Sequence, residues 1–137
     1  LICYDLRFPV WSRNRWNASL KKPLYDVLVY VANWPEVRIS AWDTLLRARA
    51  IENLSYVVGV NRVGVDGNGV EYQGHSAVVG PKGDTIFTAE GVEATKTIAL
   101  SANALQAYRD RFPALLDADD FTLEMGEFEE RDLLGLS

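Results

Sequence analysis

The stretch YDVLVYVA, residues 25–32, decides the fold. β-branched and aromatic side chains fill it with almost no polar break, which is typical of a central strand covered on both faces. Pro35 disfavours helical geometry at Trp34, so the strand is expected to end abruptly at this point. A strand of this kind needs neighbouring strands and covering helices, and the flanking sequence contains candidates for both.

Helical and extended patterns alternate around this strand. Ser40 and Asp43 predict a capping box at the start of a helix that runs to about Asn53. Glycines between residues 64 and 69 predict a hairpin loop, because their spacing does not match a phosphate-binding loop. Extended patterns cover residues 25–32, 56–61, 76–79, 85–88 and 95–100, and helical patterns cover residues 10–16, 40–53 and 102–111. This order predicts an α/β fold with a mixed sheet.

The composition excludes several classes of protein. With 48% hydrophobic residues the chain is too apolar to be disordered, and no apolar run reaches the roughly 18 residues of a transmembrane helix. The net charge of −5 makes nucleic acid and anionic membranes poor partners. A single cysteine cannot form an internal disulfide, which favours a reduced, cytoplasmic setting. The length of 137 residues suits one ordinary domain.

Cys3 is the candidate nucleophile, because it ends an apolar run at a predicted strand-to-turn junction. Backbone amides that follow such a junction can point outward, so the amide of Tyr4 is placed to stabilise an oxyanion. The turn is also richer in polar and aromatic residues than a packed cysteine requires. The competing interpretation is structural, because free cysteines are usually small buried hydrophobes.

The base that a cysteine nucleophile requires is not evident in the sequence. His75 is the only histidine, and it follows a glycine at the start of a predicted strand. A Cys3–His75 catalytic pair is one interpretation, and a structural histidine is the more usual one. One cysteine and one histidine also fall short of the ligands of a zinc site. We therefore predict no metal and no cofactor.

The first residues have the pattern of a buried strand. Leu1 and Ile2 run directly into Cys3, with no initiator methionine and no leader pattern. Chain termini are usually loose and polar unless a sheet holds them. We therefore expect the chain to be a fragment, or a product cut just before Cys3.

Several blocks of sequence together resemble one known family. The block ICYDLRFP, residues 2–9, resembles the nucleophile motif of the nitrilase superfamily of carbon–nitrogen hydrolases. The other blocks are NWP (33–35) with Arg38, WDTLLRARAIEN (42–53), YVVGVNRVG (56–64) and residues 66–76 and 81–83. They follow the order of the family, and they are most similar to its omega-amidase branch. Omega-amidases hydrolyse the terminal amide of 2-oxo acid amides such as 2-oxoglutaramate and 2-oxosuccinamate.

The resemblance implies a four-layer α-β-β-α sandwich, of which residues 1–137 would form the C-terminal part. It also implies a homodimer or a higher homo-oligomer, with the helix over residues 42–53 as a candidate interface, although a solvated helix face would give the same sequence pattern. In the implied mechanism the thiolate of Cys3 attacks the amide carbonyl, and the backbone amide of Tyr4 forms half of the oxyanion hole. Ammonia leaves, and water hydrolyses the thioester. Asn33 and Trp34 would line the substrate pocket at a strand tip, where open α/β sheets place ligands.

Some roles near the motif have two interpretations. Trp34 either lines the pocket or packs as a core aromatic. Arg38 either faces a substrate carboxylate or lies in solvent before the next helix, which is the usual state of an arginine. Asp5 and Arg7 are expected to form an ion pair that fixes the turn after Cys3.

The resemblance also concerns residues that the chain would lack. The family's general-base Glu, its oxyanion-stabilising Lys and a second pocket Glu all precede the nucleophile, whereas two residues precede Cys3 here. We therefore expect these 137 residues alone to have no amidase activity. Half of a sandwich also leaves strand faces such as residues 27–31 uncovered, which favours aggregation.

Three functions stay open. The first is the omega-amidase-like hydrolysis of small 2-oxo acid amides, and the second is the hydrolysis of N-carbamoyl amino acids or nitriles within the same superfamily. The third is a truncated, non-catalytic chain that acts as an interaction module. The acidic tail over residues 117–132 either exchanges with a partner subunit or forms a solvated end.

Overall fold

The computed structural model of the protein describes residues 1–124. Its strands are β1 (Trp16–Asn17), β2 (Lys22–Pro23), β3 (Val27–Ala32), β4 (Tyr56–Asn61), β5 (Val63–Val65), β6 (Glu71–Val79) and β7 (Thr85–Glu90). The α-helices are α1 (Ile39–Glu52) and α2 (Ala102–Arg111), and short 3-10 helices cover Cys3–Arg7, Glu36–Arg38 and Ala114–Leu116. Within residues 1–124, no helix has the length and apolar character needed to cross a bilayer.

The main sheet is mixed, as the sequence predicts. β3 and β4 pair in parallel, whereas β6 pairs antiparallel with β4, β5 and β7. The parallel register sets Ala32 opposite Asn61, so β3 and β4 end at the same edge of the sheet. Ile2 makes a parallel bridge to Val31 on the other side of β3. The nucleophile candidate therefore lies next to the end of β3.

Helix α1 covers one face of this sheet. Trp42, Leu46 and Ala50 are at most 1% exposed and form a core with Tyr30 and Val57. The contact is close at Gly59, where a Cβ atom would lie 2.5 Å from Leu46 Cδ1. α1 therefore packs directly against the backbone of β4.

The two faces of β3 differ in exposure. Leu28, Tyr30 and Ala32 are buried, whereas the alternate valines, Val27, Val29 and Val31, are 38–56% exposed. Within residues 1–124, β3 is therefore covered on one face only, whereas its composition predicts a strand covered on both faces. The open valine face agrees with the expectation that half of a sandwich leaves strand faces uncovered.

Helix α2 has the bounds that the sequence predicts. Ser101 caps it by accepting a hydrogen bond from the amide of Ala104 at 3.1 Å. Its buried Arg109 donates to the carbonyls of Leu54 and Tyr25 at 2.8 and 3.0 Å and pairs with the carboxylate of Asp26. α2 is thereby fixed to the loops that precede β3 and β4.

The prediction of a helix over residues 10–16 is wrong. The backbone amide of Asn14 donates to the side chain of Asn53, and its own side chain donates to the carbonyls of Tyr25 and Asn53. These bonds replace helical ones, and Trp16–Asn17 pairs instead with Lys22–Pro23. Contacts with residues distant in sequence decide the conformation here.

Two other predictions are also wrong. Residues 95–100 form no strand, because they have no neighbouring strand within the described residues. Ser40 does not cap α1, which begins at Ile39 after a 3-10 turn, and Arg38 occupies the N-cap position.

The acidic tail continues past Glu124, so its role lies outside the described residues.

Candidate active site

Cys3 lies at the first position of the 3-10 helix Cys3–Arg7, immediately after the bridge between Ile2 and Val31. Its backbone φ of +39° falls in the left-handed region, which a non-glycine residue adopts only at a cost. The Sγ atom lies 3.8 Å from the carbonyl oxygen of Asn33, just beyond the end of β3. The side chain is half-buried.

Contacts from two directions hold this turn. The carboxylate of Asp5 accepts a hydrogen bond from the amide of Ile2 at 2.8 Å. Arg49 of α1 is 3% exposed, and its guanidinium donates to the carbonyl of Leu6 and pairs with Glu52. The helix that covers the sheet therefore also supports the turn that carries the cysteine.

The predicted site residues lie together around one open cleft of about 360 Å³. Cys3, Tyr4, Asn33 and Trp34 all line it. The other lining residues are Arg7, Pro35 and Arg38. The Tyr4 backbone amide belongs to the first turn of a 3-10 helix, where N–H groups have no partner within the helix. The sequence thus predicted which residues the fold brings together, while their roles in catalysis stay predictions.

Trp34 combines both of its alternative interpretations. It borders the cleft, but it is 2% exposed and its ring lies 5.7 Å from the ring of Trp42. The indole Nε1 donates to the carbonyl of Arg38 at 2.7 Å. Trp34 is therefore a core aromatic that shapes the cleft wall and offers a ligand little surface.

Asn61 is a positioning residue that no sequence motif indicated. Its buried side chain accepts from the amide of Trp34 at 2.7 Å and donates to the carbonyls of Trp34 and Gly74 at 3.0 and 2.7 Å. Its backbone amide donates to Ser76 Oγ at 3.0 Å. A polar residue at the end of an apolar strand was the only available signal.

The expected ion pair between Asp5 and Arg7 is wrong. Asp5 turns back to the amide of Ile2, and the Arg7 guanidinium lies 4.9 Å from the centre of the Trp34 ring and 6.0 Å from that of Tyr4. A guanidinium stacks readily on an aromatic face, so Arg7 gains a partner without a carboxylate. The turn after Cys3 is fixed by these separate contacts.

His75 has a partner other than Cys3. Its Nδ1 lies 3.1 Å from a carboxylate oxygen of Asp43, and its carbonyl accepts from the indole of Trp42 at 2.8 Å. His75 and Gly74 have φ values of +55° and +73°, at an irregularity in the pairing of β6 with β7. The structural interpretation of His75 is the one that fits. Within residues 1–124, no three His, Cys, Asp or Glu residues are grouped as metal ligands.

The turn between β5 and β6 contains a carboxyl group with a shifted pKa. Backbone amides of Val70 and Asn68 donate to Asp66, and the hydroxyl of Tyr72 donates to it at 3.0 Å. These bonds favour the charged carboxylate, so they lower the pKa of Asp66 below its usual value. This turn is the hairpin loop that the glycines between residues 64 and 69 predicted.

Comparison with known proteins identifies the class to which this fold and cleft belong. The family model for carbon–nitrogen hydrolases matches residues 1–110. The chain belongs to the carbon–nitrogen hydrolase family. The chain is similar to the omega-amidase YafV of Escherichia coli K12: the alignment has 55% identity and covers 90% of this chain and 46% of that protein. It is also similar to a 2-oxoglutaramate amidase of Paenarthrobacter nicotinovorans, with 44% identity across 84% of this chain and 37% of that protein.

A solved structure supports the same assignment. XC1258 from Xanthomonas campestris, a CN-hydrolase superfamily protein with an arsenic adduct in its active site, superposes with a TM-score of 0.87 at 51% identity. The alignment covers 90% of this chain and 47% of that one. The chain thus spans about half the length of the curated relatives it matches. The predicted fold class is confirmed as a mixed α/β arrangement equivalent to about half of this fold.

Proposed function

We propose that this chain supplies the nucleophile and one wall of the substrate cleft to an omega-amidase. The reaction is hydrolysis of the terminal amide of small 2-oxo acid amides, which gives the acid and ammonia. The observation that carries the proposal is the position of Cys3, whose backbone lies in the left-handed region and whose sulfur is beside Asn33 at the edge of the sheet. The similarity to an omega-amidase and a 2-oxoglutaramate amidase supports the substrate class.

The chemistry proceeds through a thioester. The sulfur of Cys3 forms a bond to the amide carbon, and the carbonyl electrons move to oxygen, where the backbone amide of Tyr4 donates a hydrogen bond. The C–N bond then breaks, and the nitrogen takes up the proton that the Cys3 thiol gave up and leaves as ammonia. Water attacks the thioester carbon, the C–S bond breaks, and the acid and the free thiol are released. No cofactor enters these steps.

The 137-residue chain by itself is proposed to be inactive. In the part of the chain that the structure describes, the cleft is lined by two arginines but by no carboxylate and no lysine. The residues that would take the thiol proton and assist the oxyanion are therefore not at hand. By the family resemblance, a Glu and a Lys that precede the nucleophile perform these tasks.

Two further features belong to the same proposal. The protein is a homodimer or a higher homo-oligomer, with helix α1 at the interface, where the exposed Arg47 and Ile51 are available for contacts. The setting is the cytoplasm, where Cys3, the single cysteine, stays a free thiol. Intact mass spectrometry of the protein purified from its source organism measures its full length.

The test is steady-state ammonia release from 2-oxoglutaramate by the protein as its source organism makes it. We expect turnover that Cys3→Ala abolishes, and an acid-quenched sample with a mass adduct on Cys3. Arg111→Gln, which changes an exposed arginine on α2, serves as the control that keeps turnover. The isolated 137-residue chain is assayed in parallel, and turnover there would refute its proposed inactivity.

A substrate panel separates the alternatives. Faster turnover of N-carbamoyl amino acids or of nitriles than of 2-oxo acid amides would move the assignment to another branch of the superfamily. Failure to hydrolyse any of these compounds would favour a non-catalytic interaction module. Release of ammonia that is unchanged by Cys3→Ala would refute the thioester mechanism.

A further inference from the structure

The cleft beside Cys3 has the opposite charge to the chain. The whole chain has a net charge of −5, yet the charged residues that line the cleft within the described part are Arg7 and Arg38. The nearby carboxylate of Asp5 is turned to the amide of Ile2 and does not line the cleft. A concave surface with two guanidinium groups attracts an anion.

The two arginines differ in what they contact. Arg7 lies over the ring of Trp34 and near that of Tyr4, so its guanidinium already has aromatic partners. Within residues 1–124, the Arg38 guanidinium has no hydrogen bond, ion pair or aromatic partner, and the residue is exposed. Arg38 is therefore the arginine of the cleft whose donors stay available for a ligand.

The backbone of Arg38 is nevertheless fixed. Its amide donates to the carbonyl of Pro35 at 3.0 Å, and its own carbonyl accepts from the indole of Trp34 at 2.7 Å. These bonds tie Arg38 to the segment that also contains Asn33, whose carbonyl oxygen lies 3.8 Å from the Cys3 sulfur. The guanidinium and the sulfur are thus carried by elements that contact each other.

Stabilisation of α1 does not explain an arginine at this place. Arg38 is the N-cap residue of α1, and its side chain makes no capping bond. The N-terminus of a helix carries partial positive charge, so a cation there is unfavourable. The first turn of α1 also contains no acidic residue that would compensate for it.

We propose that Arg38 binds the carboxylate of an amide substrate, at the end opposite the amide that Cys3 attacks. This inference rests on the proposed function and extends it from the reaction to the recognition of the substrate. The planar guanidinium accepts a carboxylate through two parallel hydrogen bonds, which fixes orientation as well as position. Arg38 therefore selects acid amides over neutral amides.

The experiment compares an anionic and a neutral substrate in the protein as its source organism makes it. The variants Arg38→Gln and Arg38→Lys are assayed with 2-oxoglutaramate and with propanamide, and Arg111→Gln is the matched control. We expect Arg38→Gln to raise KM for 2-oxoglutaramate roughly tenfold to a hundredfold with a much smaller change in kcat. Arg38→Lys retains the positive charge without the planar guanidinium, so its KM should lie between those of the unsubstituted protein and of Arg38→Gln. The loss should be much smaller for propanamide, which has no carboxylate.

A binding measurement separates this inference from the proposed function. Glutarate, a dicarboxylate without a scissile amide, is titrated into Cys3→Ala and into Cys3→Ala combined with Arg38→Gln. Weaker binding by the double variant would support the role of Arg38. This outcome does not depend on catalysis, so it stands even if the protein hydrolyses no amide. Absence of hydrolysis would overturn only the proposed function. Equal binding, or an equal loss with 2-oxoglutaramate and propanamide, would overturn the role of Arg38 and leave the proposed function intact.

Discussion

Asn61, at the end of β4, holds Trp34 through both of its backbone polar groups. The Trp34 amide donates to Asn61 Oδ1 at 2.7 Å, and Asn61 Nδ2 donates to the Trp34 carbonyl at 3.0 Å. The two residues are 27 positions apart, and the parallel register of β3 and β4 brings them together. One buried amide thus fixes the segment that forms a wall of the cleft.

Replacement of Asn61 should therefore affect stability and activity together. Asn61→Ala leaves buried backbone groups of Trp34 and Gly74 without partners, at a cost of about 2–4 kcal/mol in the free energy of unfolding. Urea denaturation measures this cost. The control is Asn68→Ala, an exposed turn position, where a change within about 0.5 kcal/mol is expected. Equal unfolding midpoints for the two variants would contradict the bracing role of Asn61.

The left-handed backbone of Cys3 predicts an order of stability among inactive variants. Glycine adopts φ near +39° without the steric cost that alanine bears, so Cys3→Gly should be roughly 1 kcal/mol more stable than Cys3→Ala. In an ordinary helix the order reverses, and Ala107→Gly in α2 should lower stability by about 1 kcal/mol. Urea unfolding of the three variants tests this. A Cys3→Ala variant that matches or exceeds Cys3→Gly would show that the turn is relaxed.

The packing of α1 on β4 predicts a large effect from a single methyl group. In Gly59→Ala the new Cβ would meet Leu46 Cδ1 at 2.5 Å and Trp42 Cζ2 at 2.7 Å, so the helix must shift. We expect a loss of about 1–3 kcal/mol, measured by thermal or urea unfolding. Gly67→Ala is the matched control, because a Cβ there meets no atom within 4 Å. Indistinguishable stabilities would mean that α1 does not pack closely on β4.

The pKa of Asp66 predicts how the turn between β5 and β6 responds to acid. The amides of Val70 and Asn68 favour the carboxylate and lower this pKa below its ordinary value of 3.8. An unfolded chain therefore binds a proton more readily than the folded turn does. The stabilisation is fully present above the ordinary aspartate pKa, and it is lost as the pH falls through the lower, folded value.

Carbon-detected NMR of the Asp66 carboxyl, together with the amide shift of Val70, measures this titration. Both signals should move with one midpoint below 3.8. Asp66→Asn keeps an acceptor but cannot titrate, so the shift of Val70 over this range should disappear. A carboxyl midpoint at or above 3.8 is the result that this interpretation does not allow.

Local sequence patterns predicted the elements that depend on their own residues. The apolar run of β4 and the helical pattern of α2 gave the observed bounds, Tyr56–Asn61 and Ala102–Arg111. The pattern failed where distant contacts decide the conformation. Asn14 bonds to Asn53, 39 residues away, and this contact replaces the helix expected over residues 10–16.

The site shows the same division. The motif around Cys3 indicated the cysteine and its neighbours, and the family resemblance implied Asn33 and Trp34, which lie at the end of a predicted strand. Asn61 was missed because its importance comes from the register of two strands, which a single sequence does not reveal. The ion pair expected between Asp5 and Arg7 does not form, because Asp5 accepts a hydrogen bond from the Ile2 amide and the Arg7 guanidinium lies over the Trp34 ring.

The backbone bridge between Ile2 and Val31 fixes the position of Cys3 along strand β3. The Leu1 nitrogen donates to the carbonyl of Val29, and the Val31 amide donates to the carbonyl of Leu1. A slip of this pairing by two residues would keep the pleat but move Cys3 by about 6.6 Å along β3. The 3.8 Å approach of its sulfur to Asn33 would then be lost. The spacing between the attacking atom and the cleft wall thus depends on which backbone groups pair along β3.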